Sequence, residues 1–203
     1  MTRKLTAVIF DLDETLLTAN IDFNAIRKAI GCDKGKDILA HLDTMTDEEQ
    51  RKKAQDYIRQ HELQDAHNAE WIPGAKTMVA KLQEANFPVA IVTRNSSEAT
   101  QIKLTKNNVN INRVITREHA PPKPDPTALL QLADEWRIAP ENIAYVGDYI
   151  YDVLAANNAN MHACLYLRRG MADYAKKADF TFAHYTELQE YLFGENSIPT
   201  ASF

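Results

Sequence analysis

Apolar residues in this chain fall into two kinds of run. Short unbroken runs occur at 7–10, 88–92, 114–115, 143–146, 162–167 and around 180–182. Runs rich in β-branched and aromatic side chains predict strands buried on both faces, as in a parallel sheet. Between them, apolar positions recur at helical spacing. Phe23, Ile26 and Ile30 share one face, with Asp22 placed to cap the helix and Gly31 to end it. Ile38, Leu39 and Leu42 predict a second short helix. Ala54, Tyr57 and Ile58 give a long polar helix only a thin apolar stripe, opened by a capping box at Thr46–Glu49. Further helices are predicted from Met78, Val79 and Leu82, from a box at Asn95–Glu98, from Leu129, Leu132, Ala133 and Trp136 after the Asp125-Pro126 cap, and over 150–158 and 185–193.

Strands that alternate with helices predict an α/β, Rossmann-like, three-layer fold with a parallel sheet. Residues 18–72 carry helical patterns only. They predict a small all-helical cap insert between two parts of the α/β core, 1–17 and 73–203. The tail from Glu195 to Phe203 has no apolar periodicity and is expected to be loose.

Composition narrows the function classes. The chain has 203 residues, 45% hydrophobic and 25% charged, the balance of a globular protein. A formal net charge of −5 argues against a nucleic-acid footprint, which needs a basic face. The two cysteines, Cys32 and Cys164, match no metal spacing and are expected to be reduced thiols in a cytoplasmic protein. Neither a signal-peptide pattern nor a bilayer-spanning run is evident, so no membrane partner is expected. A monomer or weak homodimer is the expected form.

The chemistry gathers at the carboxyl ends of the strands, where open α/β sheets keep their sites. The first strand runs into Asp11 and Asp13, the second into Thr93. The loop after the third carries Lys123 between prolines. The fourth ends at Asp148, with Asp152 one helical turn further on. Each has an ordinary structural reading taken singly: Thr93, Asp148 and Asp152 as helix-end residues, Lys123 as a solvated loop lysine. Together they place four carboxylates, one ammonium and one hydroxyl on one edge. Clustered carboxylates need a cation, and an all-oxygen set points to Mg²⁺. Thr93, Lys123 and the backbone N–H groups of the Asp11–Glu14 loop, Leu12 included, are candidate donors to a phosphoryl group. Arg94 and Asn95, next to Thr93, are further candidate substrate contacts. The set suits phosphoryl transfer.

These motifs resemble the haloacid dehalogenase-like hydrolase superfamily. Phe10-Asp-Leu-Asp-Glu-Thr-Leu16 resembles its first motif, Ile91-Val-Thr93 the second, Lys123-Pro124 the third, and Gly147-Asp148 through Asp152 the fourth. A helical cap directly after the first motif is similar to the phosphoglycolate phosphatase-like branch. The resemblance implies that Asp11 is a nucleophile forming an aspartyl phosphate, and that Asp13 is the general acid and base. It also implies Mg²⁺ held by Asp11, the backbone carbonyl of Asp13 and Asp148. Thr93 and Lys123 would bind phosphoryl oxygens, and Asp152 would orient Lys123 or metal-bound water. Glu14, Ala156 and Asn160 stand where glycine is frequent.

The expected activity is hydrolysis of a phosphoric monoester, phosphoglycolate- or sugar-phosphate-like. A phosphosugar mutase and a non-catalytic binding module are the alternatives. Arg27, Lys34 and Lys36 of the insert are expected to influence which ester is preferred, with little effect on p-nitrophenyl phosphate.

Overall fold

In the computed structural model, which describes residues 4–168 and 170–194, six strands form one sheet. They are β1 (Ala7–Phe10), β2 (Val89–Val92), β3 (Arg113–Ile115), β4 (Ile143–Gly147), β5 (His162–Tyr166) and β6 (Phe180–Phe182). The order is β3-β2-β1-β4-β5-β6, and every neighbouring pair is parallel. β1 is central, with Phe10 in register with Ile91 of β2 and Val146 of β4.

Alternation along β1 explains its composition. Val8 and Phe10 face one core layer, with Met78, Leu82 and Leu188 of helices α4 (Ala75–Glu84) and α8 (Tyr185–Phe193). Ala7 and Ile9 face the other, with Leu129, Leu132 and Val153 of α6 (Thr127–Trp136) and α7 (Ile150–Asn158). All four strand residues are fully buried. Side chains the size of Ile9 and Phe10 each contribute roughly 1.5–3 kcal/mol of burial free energy. The central strand is thereby held rigidly, and the residues just past Phe10 inherit that rigidity.

The helical insert consists of α1 (Phe23–Ile30), α2 (Ile38–Thr44) and α3 (Glu48–Ala66). Ile26, Ile38, Leu42, Ala54 and Ile58 form its own small core. Asp22 caps α1 through Asn24 and Ala25, and Gly31 ends it in the left-handed region, as the pattern predicted. Two capping residues lie one position later than predicted. Asp47, not Thr46, accepts the backbone N–H groups that open α3. Ser96, not Asn95, caps α5 (Ser97–Lys106). Each cap sits next to another residue type that is favoured at N-caps, so a shift of one position is easily made from sequence.

The thin stripe of α3 is real, but its buried face also includes Glu62 and Asp65. This face packs on α5. Cys32 and Cys164 are buried and free. Among the described residues, no helix is long and apolar enough to cross a membrane. The tail 195–203 lies outside the described residues.

Candidate active site

The β1 ladder carries one residue past the strand, because the Asp11 N–H donates to the Val146 carbonyl at 2.8 Å. The chain then turns tightly, with the Leu12 carbonyl accepting from the N–H groups of both Leu16 and Leu17. This turn places Glu14 at φ +56°, a conformation L-residues rarely adopt. Its side chain holds it there, accepting the Ala19 N–H at 2.7 Å and pairing with Arg168. Local bonding thus replaces the freedom glycine would supply. Asn160 likewise takes a left-handed φ, +57°, and Ala156 fits fully buried in α7.

Lys123 is the hub of the buried polar cluster. Its Nζ donates to Asp11 Oδ1 at 2.6 Å, Asp152 Oδ1 at 2.6 Å and the Tyr145 hydroxyl at 2.8 Å. Its three donor hydrogens therefore have three acceptors. Burial works against the ammonium, but Asp11 and Asp152 outweigh it and raise its pKa. Asp152 Oδ2 accepts the Tyr149 N–H at 3.0 Å, so the same carboxylate caps α7 and fixes Lys123. Gly147 permits this approach: a methyl group on its Cα would lie 2.3 Å from Asp152 Cβ.

Carboxylate oxygens of Asp11, Asp148 and Asp152 lie within 4.8 Å of one another. Burial, assisted by Asp152 and Asp11, lifts Asp148 to about 8. Burial likewise lifts Asp11 to about 7, against the pull of Lys123. Three carboxylates with a single neighbouring ammonium, all donors being oxygen, fit a hard divalent cation. These three residues are able to hold a metal ion.

Asp13 faces elsewhere. Its Oδ1 accepts from Lys103 Nζ at 2.5 Å and its Oδ2 from Asn95 Nδ2 at 2.9 Å. Burial still raises its pKa, with Lys103 acting in the opposite direction. Its carboxylate is therefore not part of the metal-competent group. Only its backbone carbonyl, the atom the motif resemblance implies, is left for that role. Lys103 is fully buried and donates also to Asp65 Oδ2 at 2.7 Å. Asp65 Oδ1 in turn accepts the Asn20 N–H at 2.6 Å. One lysine thus joins the Asp11–Asp13 loop, α5 and the end of α3.

Other expected contacts take varied positions. The Leu12 side chain is buried in the core, so its backbone alone can meet a ligand. Thr93 is buried at the end of β2 and lines a cavity that lies over Asp11 and Asp148, its Oγ1 accepting the Asn95 N–H at 3.2 Å. Asn95 also lines it, but its amide is engaged with Asp13. Arg94 donates to Asp37 Oδ2 at 2.6 Å and the Lys123 carbonyl at 2.9 Å, and its guanidinium carbon lies 4.6 Å from the Tyr151 ring centroid. It ties the insert to the core. Arg27 lines the cavity, whereas Lys34 and Lys36 are exposed and do not.

Sequence reasoning missed Lys103, Tyr145 and Asp65. A tyrosine within the apolar run of β4 was a usable signal, since a buried phenol needs a partner. Lys103 had a weaker one. It follows Ala99 by four residues, on the face of α5 that must pack.

A family model described as haloacid dehalogenase-like hydrolase matches residues 18–166. The chain is 30% identical over 174 residues to a haloacid dehalogenase-like hydrolase domain-containing protein of Arabidopsis thaliana, covering 80% of this chain and 71% of the relative. It is 27% identical over 179 residues to a phosphoglycolate phosphatase of Xanthomonas campestris, covering 76% and 80%. A solved hydrolase from Pseudomonas syringae shares the fold at a TM-score of 0.74 with 22% identity, covering 92% and 97%. With the parallel sheet, the helical insert after β1 and the carboxylates at the strand ends, these matches establish that the chain belongs to the haloacid dehalogenase-like hydrolase family.

Proposed function

We propose that this hydrolase is a cytoplasmic, Mg²⁺-dependent phosphatase of small phosphorylated metabolites. It would act through an aspartyl phosphate on Asp11. The observation that carries this reading is the position of Asp11, buried at the end of the central strand between Lys123 and the Asp148–Asp152 carboxylates. Similarity to a phosphoglycolate phosphatase supports the reaction class.

Asp11, Asp148 and the Asp13 carbonyl would hold Mg²⁺, which supplies positive charge to the phosphoryl oxygens when bound. Asp11 attacks phosphorus as the bond to the leaving oxygen breaks. Asp13 gives that oxygen its proton. In the second step water attacks the phosphorus of the acyl phosphate and Asp13 takes the water's proton, which restores Asp11 and releases phosphate. Thr93 donates to a phosphoryl oxygen. Lys123 favours the ionised form of Asp11 against burial and offsets the charge that spreads over the phosphoryl group. Asp152 and Tyr145 keep Lys123 in place.

Hydrolysis of p-nitrophenyl phosphate, measured with Mg²⁺ and after EDTA, tests the reading. Turnover that is lost in EDTA and restored by Mg²⁺ supports it. Turnover unaffected by EDTA, or none under either condition, counts against it.

A further inference from the structure

The cavity above Asp11 and Asp148, about 360 Å³, has two unlike walls. On the sheet side stand the carboxylates, Thr93 and Lys123. On the insert side stand Ile21, Phe23, Ile26, Ile38, Leu39 and Ile58. Ile26, Ile38 and Ile58 are buried members of the insert's own core, while Ile21 and Leu39 are only partly buried against it and Phe23 is exposed. Phe23 is 52% exposed, an unusual degree for a phenylalanine that lines a cavity.

Both acidic side chains of the insert that line the cavity are already paired. Asp37 pairs with Arg94 at 2.6 Å, and Glu62 pairs with Arg117. Arg27 donates its Nε to the Lys36 carbonyl at 2.8 Å and a longer bond to Asn24. A second anionic group on the substrate would have to draw on Arg27, whose Nε is already committed to the Lys36 carbonyl, and elsewhere on this wall would meet aliphatic side chains and lose hydration. An apolar body would instead remove the exposed faces of Phe23, Ile21 and Leu39 from water.

We propose that the insert-side wall is a leaving-group subsite for an uncharged, apolar alcohol or phenol. The preferred substrates are then alkyl or aryl phosphate monoesters, and phospho-carboxylates of the phosphoglycolate kind are poor ones. This inference rests on the phosphatase reading above and deepens it.

The test is kcat/KM for a series of unbranched alkyl phosphates, from ethyl to hexyl, beside phosphoglycolate, with the Mg²⁺-loaded enzyme. Each buried methylene is expected to raise kcat/KM roughly three- to fivefold until the cavity is filled. Leu39→Asn and Phe23→Ser should each flatten that slope, by taking apolar area from the wall. Arg27→Ala should leave the slope in place. A flat chain-length profile in the wild-type enzyme overturns the subsite and leaves the phosphatase reading standing. So does a preference for phosphoglycolate that Arg27→Ala abolishes, since Arg27 would then be a carboxylate anchor. Failure to hydrolyse any ester, p-nitrophenyl phosphate included, overturns both.

Discussion

Replacing Lys103 by methionine removes the ammonium that joins Asp13 and Asp65 and keeps the apolar stem. The lysine is fully buried, and the Asp65 side chain is 4% exposed, so neither loses much to solvent screening. The Asp13 side chain is 21% exposed, and part of its pairing is screened. Removing one partner of a buried pair costs about 3–5 kcal/mol, because the other charge stays buried and unmatched. The Asn20 N–H and Asn95 amide still bond the two carboxylates, which places this variant near the lower end, about 3 kcal/mol. For a chain of this size that is a fall of roughly 6–12 °C in Tm, read by calorimetry. Asp65→Asn in the same background should recover part of it, since the uncompensated carboxylate is gone. Activity provides a separate readout. Asp13 loses one of its two anchors, so esters that need a proton on the leaving oxygen should suffer most. Ethyl phosphate should lose on the order of a hundredfold in kcat, the lower range for general acid catalysis. p-Nitrophenyl phosphate, whose leaving group departs as an anion, should lose far less. A Tm within a degree of wild type, or equal losses for both esters, would refute the reasoning.

Three further outcomes are expected. Lys123→Ala should depress every ester by a common factor of about a hundred or more, because the charge it removes acts on Asp11 and the phosphoryl group, which all esters share; steady-state kinetics showing one ester spared would contradict this. Gly147→Ala should lower Tm by a few degrees and kcat with it: a methyl group 2.3 Å from Asp152 Cβ forces α7 to shift, and overpacking of this kind costs about 1–3 kcal/mol. A variant with wild-type stability and rate would show the contact to be unimportant. Mg²⁺ affinity should rise with pH and level off above about 8. Burial raises Asp148 to about 8 and Asp11 to about 7, so at lower pH the ion must displace protons, at about tenfold in affinity per unit for each proton. Isothermal titration calorimetry giving one affinity from pH 6 to pH 9 would contradict it.

The sheet was legible because its strands are buried on both faces and therefore read as unbroken apolar runs. The residues at strand ends were legible for the related reason that a polar side chain abruptly ends each run. Asp11, Asp148, Asp152 and Lys123 are found together in the structure. Less was legible where partners are distant in sequence and polar on both sides. Lys103 lies 90 residues from Asp13, and no local pattern links them. Glu62 and Asp65 read as part of the solvated face of a polar helix, yet both are buried against cations from the core. The thin stripe of α3 was thus half of its packing face, the other half being ion pairs. Asn95 illustrates a different limit. Its fitness as a helix cap hid its use as a holder of Asp13, with Ser96 taking the cap. The aliphatic wall of the cavity was also hidden, because its residues are scattered over α1, α2, α3 and the loop before them, at positions that read as ordinary helix core.

The central claim is that Asp11 carries the phosphoryl group between the two steps. The direct measurement is rapid acid quenching of the Mg²⁺-loaded enzyme during turnover of a radiolabelled phosphate ester, followed by peptide mapping. The expected result is acid-stable, hydroxylamine-sensitive label on the peptide containing Asp11, absent from Asp11→Asn. Steady turnover with label on another peptide, or full turnover by Asp11→Asn, would contradict it.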